Sequence, residues 1–317
     1  MHQETGGSSG RTVIIASDSQ GRLTYSYSSS GTKYLLSRTG YNNVSVAPKF
    51  IYLVVQATGG HGGYGYNGLG GGDGSPGGGG GAGAFCAVCL SLEKNLVGNL
   101  LEKNITFATV TLGAQCPEKG SALYEQINGP DSTIRVGTTQ ITLEGGYGGQ
   151  KIDGNSTNSA RGYGGRCLFN NFYPPYYETM DELLDYIGND DIIAIYPGTG
   201  CSGCDRSTST SDSETYVPSG NLMAESCSSV ISNLTCPGYS AGRRNTSGNG
   251  WSGWGGGASF FSNGRPGLSD DPGKNSSSDY NKSGYGNGGG GGASMLWGEE
   301  KVRPGSPGGD SILRIYY

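Results

Sequence analysis

The residues of this chain best suited to chemistry are its eight cysteines, which include two C-x-x-C pairs. Cys86 and Cys89 make the pair CAVC, and Cys201 and Cys204 make the pair CSGC. Such pairs bind zinc in many proteins, and they perform thiol–disulfide exchange where a helix N-terminus lowers the pKa of one thiol. Three roles are therefore open: a zinc site, a redox site, or cysteines that are purely structural.

The surroundings of the two pairs favour the structural role. CAVC lies in an apolar run that predicts a β-strand, and residues three positions apart in a strand face opposite sides. The two pairs are too far apart in the chain for a zinc ribbon, and no predicted helix begins at either pair. We expect buried thiols, or disulfides in the segment that contains the later cysteines. The candidate disulfides are Cys201–Cys204 and Cys227–Cys236.

Side chains for acid–base or nucleophilic catalysis are scarce. The chain has two histidines, His2 and His61, and contains no G-x-S-x-G, H-E-x-x-H or P-loop motif. Carboxylates cluster at 181–191, but their spacing is typical of the solvated face of a helix. The sequence therefore predicts no catalytic residue, no metal and no cofactor, and we expect that the protein is not an enzyme.

Aromatic residues within glycine-rich stretches are the candidates for binding. Tyrosine outnumbers phenylalanine by 21 to 7, and rings flanked by Gly, Ser and Asn have the chemistry of antibody combining sites. Such rings can stack on sugar faces; the alternative is that they pack against neighbouring segments or subunits. The candidate residues are Tyr64, Tyr66, Tyr147, Tyr163, Trp251, Trp254 and Tyr285.

Glycine fills 62 of the 317 positions, and in one stretch it occupies every third residue. A period of three matches the turn of a polyproline-II-type helix, so these glycines would form one bare column along it. Pro76 is the one proline in the stretch, which argues against collagen and favours polyglycine-II helices that hydrogen-bond side by side. The alternative is a flexible linker. The column consists of Gly59, Gly62, Gly65, Gly68, Gly71, Gly74, Gly77, Gly80 and Gly83.

Between the glycine segments the chain predicts β-strands and one helix. The strand-like segments are rich in β-branched residues and tyrosine and are bounded by Gly, Asn, Asp and Pro. The helix is expected at 178–188, where apolar residues follow a helical spacing. These features indicate an all-β fold, specifically a jelly-roll-like β-sandwich with an inserted polyglycine-II helix bundle.

Charge and hydropathy exclude two classes of partner. Asp and Glu outnumber Lys and Arg by 26 to 21, so the chain lacks the basic surface that nucleic-acid binding requires. No apolar run approaches the ~18 residues of a membrane span, and no secretory signal is visible at the N-terminus. We expect neither nucleic-acid binding nor membrane insertion.

The order of these elements resembles the glycine-rich domain of bacteriophage tail-fibre and virion proteins. A strand, KFIYLVVQATGG, leads into the glycine tract, and GGGGGAGAFCAVCLSL leads out of it into a second strand. ITFATVTLGA follows, and the chain ends in GGDSILRIYY. The resemblance implies a glycine-rich β domain at 49–317 and covers 49–150 and 248–317. Residues 1–48 would be N-terminal attachment strands, and 151–247 a cysteine-containing insertion.

The resemblance also implies a function. It indicates a virion structural protein, an exposed fibre or surface appendage component used in host attachment. The implied partners are other virion proteins through the N-terminal region, a host surface glycan or protein, and further copies of the chain in a homotrimer. The implied location is the surface of the extracellular particle. The alternative is a secreted or cell-surface glycine-rich adhesion or matrix domain, since a fold does not by itself fix function.

Overall fold

The structure is a computed structural model of the 317-residue chain. It describes residues 1–27, 30–35, 38–39, 45–66, 76–118, 126–150, 161–204, 215–216, 239–240, 253–268, 284–292 and 302–317.

Most regular structure in the described residues is β-strand. One α-helix, α1 (Met180–Ile187), and a 3-10 turn at Glu93–Asn95 accompany the strands. In chain order the strands are β1 (His2–Thr5), β2 (Arg11–Ser17), β3 (Leu23–Tyr27), β4 (Ser30–Tyr34), β5 (Arg38–Thr39), β6 (Ser45–Val46), β7 (Phe50–Gln56), β8 (Gly65–Tyr66), β9 (Phe85–Ser91), β10 (Leu96–Val97), β11 (Leu100–Leu101), β12 (Thr106–Leu112), β13 (Ser132–Val136), β14 (Thr139–Leu143), β15 (Cys167–Phe169), β16 (Ile192–Gly198), β17 (Thr215–Tyr216), β18 (Tyr239–Ser240), β19 (Val302–Arg303) and β20 (Ile312–Tyr316).

Two antiparallel sheets form the main body of the fold. The smaller sheet has five strands in the order β1–β20–β7–β9–β16, and the larger has seven in the order β15–β14–β13–β12–β2–β3–β4. Side chains from both sheets meet in one hydrophobic cluster, so the two sheets are arranged like a sandwich. The all-β class that the sequence predicts is confirmed.

The sequence pattern of each strand explains how it is buried. In β2, buried and half-buried residues alternate, and Val13 and Ile15 are completely buried between the sheets. By contrast β7, FIYLVVQ, is one apolar run and is buried along both faces. Its outer face, which includes Tyr52, packs against Phe260 rather than against the larger sheet.

The CAVC pair lies on β9, and its two thiols face opposite sides, as the strand pattern predicts. Cys86 belongs to the hydrophobic cluster between the sheets. Cys89 belongs to the cluster on the outer face of the smaller sheet. Because a zinc ion must contact all its ligands at ~2.3 Å, a single ion cannot bind both thiols.

The predicted helix is confirmed as α1, and capping residues define its two ends. The hydroxyl of Thr179 accepts a hydrogen bond from the amide of Glu182 at 3.3 Å. Gly188 ends the helix with a left-handed φ of 61°. Leu183 and Ile187 are buried in the inter-sheet cluster. Among the described residues, no helix is long and apolar enough to cross a membrane.

The regions outside the resemblance supply the outer edges of both sheets. The N-terminal region 1–48 provides β1 at one edge of the smaller sheet and β4 at one edge of the larger. The described part of the 151–247 region provides the opposite edges, β16 and β15. The described parts of both regions that form these strands are therefore built into the sandwich.

Glycine-rich segments that are not strands run between the strand ends and hydrogen-bond to one another. Residues 77–84, the central segment, lead directly into β9. Each of its eight amides donates to a backbone carbonyl, over N···O distances of 2.8–3.4 Å. The acceptors follow a period of three: residues 77, 80 and 83 donate to 286–292, residues 78, 81 and 84 donate to 144–150, and residues 79 and 82 donate to 201–204.

The carbonyl groups of the central segment accept with the same period. Those of residues 78, 81 and 84 accept from 57–63, those of 79 and 82 from 162–165, and those of 77 and 80 from 254–257. The carbonyl of Gly83 accepts from the side-chain amide of Gln56 at 2.6 Å. The central segment therefore has six neighbours, and its buried backbone groups are all paired.

The six neighbours, the ring segments, also bond to one another in a closed circuit. Each is joined to the next by at least one backbone hydrogen bond of 2.8–2.9 Å. In order around the central segment they are 57–63, 286–292, 254–258, 200–204, 162–165 and 144–150.

This close approach is possible because the contacting residues lack side chains. A Cβ added to Gly80 would lie within 3.0 Å of the carbonyl oxygen of Gly60, and one on Gly81 would collide in the same way with Tyr163. The obstructing atoms belong to the neighbouring backbones, which cannot rotate away as a flexible side chain can. Glycine at these positions is therefore a packing requirement.

The glycine tract of the sequence folds back on itself. Its first pass, 57–63, and the central segment run antiparallel, with hydrogen bonds from Ala57 to Ala84, Gly60 to Gly81 and Gly63 to Gly78. Of the predicted column, Gly59 and Gly62 donate to residues 306–309, while Gly77, Gly80 and Gly83 donate to 286–292. Gly65 lies in β8. Gly68, Gly71 and Gly74 lie outside the described residues.

We predict that Gly80→Ala lowers the free energy of unfolding by about 2 kcal/mol or more, because its Cβ would push apart two backbones. Gly137→Ala is the matched control. A Cβ there meets nothing within 4 Å, and only its φ of 56° is unfavourable, at about 1 kcal/mol. Denaturant unfolding of both variants measures the difference. If both variants lose the same free energy of unfolding, the glycine segments are not closely packed.

Candidate functional site

The exposed aromatic residues of the described chain are concentrated in one region. Of seven exposed large hydrophobic side chains, five are aromatic and lie between residues 163 and 186. Phe172 is 69% exposed and Tyr176 is 89% exposed. Because large rings are normally buried, a run of exposed rings marks a surface that another molecule can cover.

The chain presents these rings because it cannot continue β15 beyond Phe169. Asn170 and Asn171 both have left-handed φ values, of 49° and 69°, and the amide of Phe172 donates back to the carbonyl of Phe169 at 3.0 Å. The next residues, FYPPYY, include two adjacent prolines, which have no amide to donate to a sheet. The segment 172–177 therefore crosses the surface as an extended loop before α1.

Glu144 orders the centre of this surface. Its Oε1 accepts from the hydroxyl of Tyr173 at 2.9 Å, and its Oε2 accepts from the amide of Arg166 at 3.1 Å. The guanidinium carbon of Arg166 lies 5.7 Å from the centre of the Tyr173 ring, within the range of a cation–π contact. One carboxylate, one guanidinium and one half-exposed ring are thus held in a fixed arrangement.

The electrostatics of the two nearest tyrosines reflect the same carboxylate. The hydrogen bond to Glu144 raises the pKa of Tyr173, because ionising the phenol would place two negative charges side by side. Burial raises the pKa of Tyr147, and the charge of Glu144 acts in the same direction. Both phenols therefore stay protonated at neutral pH, and Tyr173 keeps its hydrogen bond to Glu144.

A cavity of about 250 Å³ adjoins these residues. Tyr173, Pro174 and Tyr177 form one wall. Arg166 and Cys167, together with residues 197–199 at the end of β16, form the rest. The cavity lies between the edge strands of the two sheets, β15 and β16. We call the surface formed by Glu144, Tyr163, Arg166 and residues 172–177, with this cavity, the aromatic surface.

Two of the aromatic residues that the sequence predicts for binding belong to this region. Tyr163 is 64% exposed, and Tyr147 is half-buried. They lie on adjacent ring segments, and the amide of Tyr147 donates to the carbonyl of Tyr163 at 2.9 Å. The two ring segments therefore place Tyr163 beside Tyr147, whose phenol lies near the Glu144 carboxylate.

Two others are buried, which corrects the expectation that they lie on an exposed surface. Tyr64 packs with Cys116 and Ile127, and its ring stacks on His61 with centroids 6.1 Å apart. Trp254 is 5% exposed, and its amide donates to the carbonyl of Gly77. These rings fill space beside glycine segments, the alternative that the sequence left open.

Of the remaining three candidates, the structure describes the side chain of Tyr285 alone. Tyr285 is half-buried, and its hydroxyl accepts a hydrogen bond from Gln3 at 2.9 Å. The backbone of Tyr66 lies in β8, and its side chain is outside the description. Trp251 is also outside the described residues.

The predicted Cys201–Cys204 disulfide is absent. Both residues lie on one ring segment, and their amides donate to Ala258 and Gly255, which are also three residues apart. In extended chain three residues span roughly 9–10 Å between Cα atoms, whereas a disulfide requires less than 7 Å. Cys227 and Cys236 lie outside the described residues.

The described residues contain no group of three or more His, Cys, Asp and Glu side chains placed to hold a metal ion. The groups of the aromatic surface suit the recognition of another molecule. Its rings offer flat apolar faces, and its guanidinium, carboxylate and phenol groups offer hydrogen bonds of fixed direction.

Sequence reasoning missed Phe172, Tyr173, Tyr176, Glu144 and Arg166. A signal for the first three was present, because four aromatic residues and two prolines in six positions suit neither a strand nor a helix. Nothing local marks Glu144 and Arg166, which meet only because segments 144–150 and 162–165 are neighbours in the bundle.

Comparison of the chain with protein-family models and with curated proteins finds no match.

We predict that Trp254→Ala lowers the free energy of unfolding by about 3–5 kcal/mol, as expected for a buried aromatic side chain. Tyr176→Ala, which truncates a ring 89% exposed, should change it by less than about 0.5 kcal/mol. Thermal or denaturant unfolding of the two variants tests the assignment. If Trp254→Ala unfolds together with the unaltered protein, Trp254 is not buried.

Proposed function

We propose that this protein is a structural component exposed on the surface of a virus particle, and that it attaches the particle to a host through the aromatic surface. The observation that carries the proposal is that Tyr163, Phe172, Tyr173 and Tyr176 are exposed and that the Glu144 carboxylate holds Tyr173 in place. Backbone hydrogen bonds hold the scaffold in one arrangement. The surface can therefore be presented to a ligand without the movement of a lid or a loop.

We further propose that the scaffold is a jelly-roll-like sandwich that carries a polyglycine-II helix bundle. Support for the bundle comes from the period of three in the donors and acceptors of the central segment. A polyglycine-II helix turns once every three residues, so it directs successive amides to three different neighbours. Six neighbours around one segment are what such packing requires.

The ligand that best fits the aromatic surface is a sugar of a host glycan. The faces of Tyr163 and Tyr173 can stack on the C–H face of a pyranose ring. The guanidinium of Arg166 and the carboxylate of Glu144 can bind its hydroxyl groups. The cavity of about 250 Å³ is smaller than the ~300 Å³ typical of drug-sized ligand sites, so it suits one sugar ring or one side chain.

Attachment to the particle would use the N-terminal region. Its strands β1 and β4 are edge strands of the two sheets, and edge strands have unpaired backbone groups that a partner strand can extend. Assembly as a homotrimer belongs to the same proposal, since closed cyclic symmetry is usual for proteins that assemble from identical chains.

The binding part of the proposal is tested with the purified chain and a printed array of defined oligosaccharides. We expect saturable binding, weakened about 30-fold by Tyr173→Ala, because a central aromatic contact contributes about 2 kcal/mol or more. Tyr173→Phe keeps the ring and should bind more tightly than Tyr173→Ala. Val97→Ala, which truncates an exposed residue of β10, is the matched control and should bind normally.

Mass spectrometry of purified virus particles tests the location. A virion component should be present in fixed proportion to the other particle proteins. Glycan binding by a chain that is absent from particles would favour the secreted or cell-surface adhesion alternative.

If the Tyr173→Ala variant binds glycans as tightly as the unaltered chain, the aromatic surface is not the binding site.

A further inference from the structure

Two cysteines from different sheets lie opposite each other inside the sandwich. Cys86 is on β9 of the smaller sheet, and Cys167 is on β15 of the larger sheet. Both belong to the hydrophobic cluster between the sheets. The thiol of Cys167 donates to the carbonyl oxygen of Phe85 at 3.2 Å, which places it beside the residue that precedes Cys86.

Cys167 also affects the ionisation of the Cys86 thiol. The pKa of the Cys86 thiol is raised well above its usual value, first by burial and then by a hydrogen bond with Cys167. Hydrogen-bonded thiols can close to a disulfide by a small approach of the two sulfur atoms, since the Cβ positions must come within about 4.5 Å. Cys167 lies on β15, an edge strand of the larger sheet, and an edge strand can make that adjustment more easily than an interior strand.

The cavity of the aromatic surface gives this pair a route to solvent. Cys167 lines the cavity, together with Pro197 and Gly198 of β16. In the sheet, Pro197 is the register partner of Cys86. A small reagent that enters the cavity therefore reaches Cys167, which is packed in the same cluster as Cys86.

We propose that Cys86 and Cys167 form a cross-linking site that closes to an inter-sheet disulfide when the protein meets a low-molecular-weight disulfide. The Cys167 thiolate attacks one sulfur of the reagent and releases the first small thiol. The Cys86 thiolate then attacks the Cys167 sulfur of the mixed disulfide and releases the second. The protein loses two hydrogen atoms and the reagent is reduced to two thiols, so atoms and electrons balance.

The geometry selects this pair among the four buried cysteines of the described residues. Cys89 faces the opposite side of the smaller sheet, in a separate cluster. Cys116 lies in a third cluster with Tyr64 and Ile127. The bond would join β15 to β9 and would close a loop of about 80 residues, so it would restrict the unfolded chain strongly. Burial of Cys86 makes the second step slow, because only the thiolate attacks.

The test uses the purified 317-residue chain, incubated under native conditions with bis(2-hydroxyethyl) disulfide, a reagent small enough for the cavity of about 250 Å³. Remaining thiols are then alkylated and the protein is digested for peptide mapping. We expect a linked peptide pair that contains Cys86 and Cys167, and a melting temperature raised by about 5–10 °C, which a reducing agent reverses. A different linked pair, or a Cys86 that is still alkylated after denaturation in the oxidised sample, would overturn the proposal.

Two variants sharpen the result. Cys86→Ala removes the second thiol, so one 2-mercaptoethanol unit of the reagent should remain attached to Cys167 as a stable mixed disulfide. Cys116→Ala is the matched control and should cross-link normally. If Cys86→Ala does not fold, the peptide map of the unaltered chain still decides the outcome, because it identifies the linked pair without any variant.

Discussion

Backbone hydrogen bonds between glycine segments are the interaction on which the rest of this structure depends. The central segment has no side chain larger than a methyl group, so it contributes little hydrophobic surface. It is nevertheless completely buried, and a buried peptide group without a partner costs free energy comparable to a lost hydrogen bond. Six neighbouring segments, each in register with the central segment, supply those partners. Removing any one of them would leave a row of buried amides or carbonyls unpaired.

The same constraint determines where function can reside. Positions where a Cβ would point at a neighbouring backbone must be glycine. Large side chains are therefore confined to positions that point away from the neighbouring segments. Tyr147 and Tyr163 occupy such positions on adjacent ring segments, while Trp254 and Tyr64 fill spaces between segments. The loop 172–177 adds its rings beside the first two. The aromatic surface therefore lies where the ring segments meet the edge strands β15 and β16.

Sequence patterns predict the local features of this protein well. The apolar alternation of β2, the continuous apolar run of β7 and the capped helix α1 are each explained by nearby residues, and the opposite orientations of Cys86 and Cys89 follow from strand geometry alone. The period of three in the glycine tract predicts segments that need partners. It does not tell which segments become neighbours, because glycine offers no side chain by which one neighbour differs from another.

The candidate site could be predicted only in part for the same reason. Tyr147 and Tyr163 are recognisable as aromatic residues in glycine contexts, but so are Tyr64 and Trp254, and their sequence surroundings do not separate exposed from buried rings. The meeting of Glu144, Arg166 and Tyr173 depends on the order of segments around the bundle. The edge strands supplied by 1–48 and 161–204 likewise follow from long-range pairing rather than from local pattern.

Amide hydrogen exchange of the central segment tests the account most directly. If residues 77–84 are enclosed by six hydrogen-bonded neighbours, their amides should exchange as slowly as those of β7 and β9, and should be released only by global unfolding. The exchange of peptides that cover 77–84 can be followed by mass spectrometry beside peptides from the two strands. Rapid exchange of the glycine segment in a protein whose strands remain protected would contradict the account.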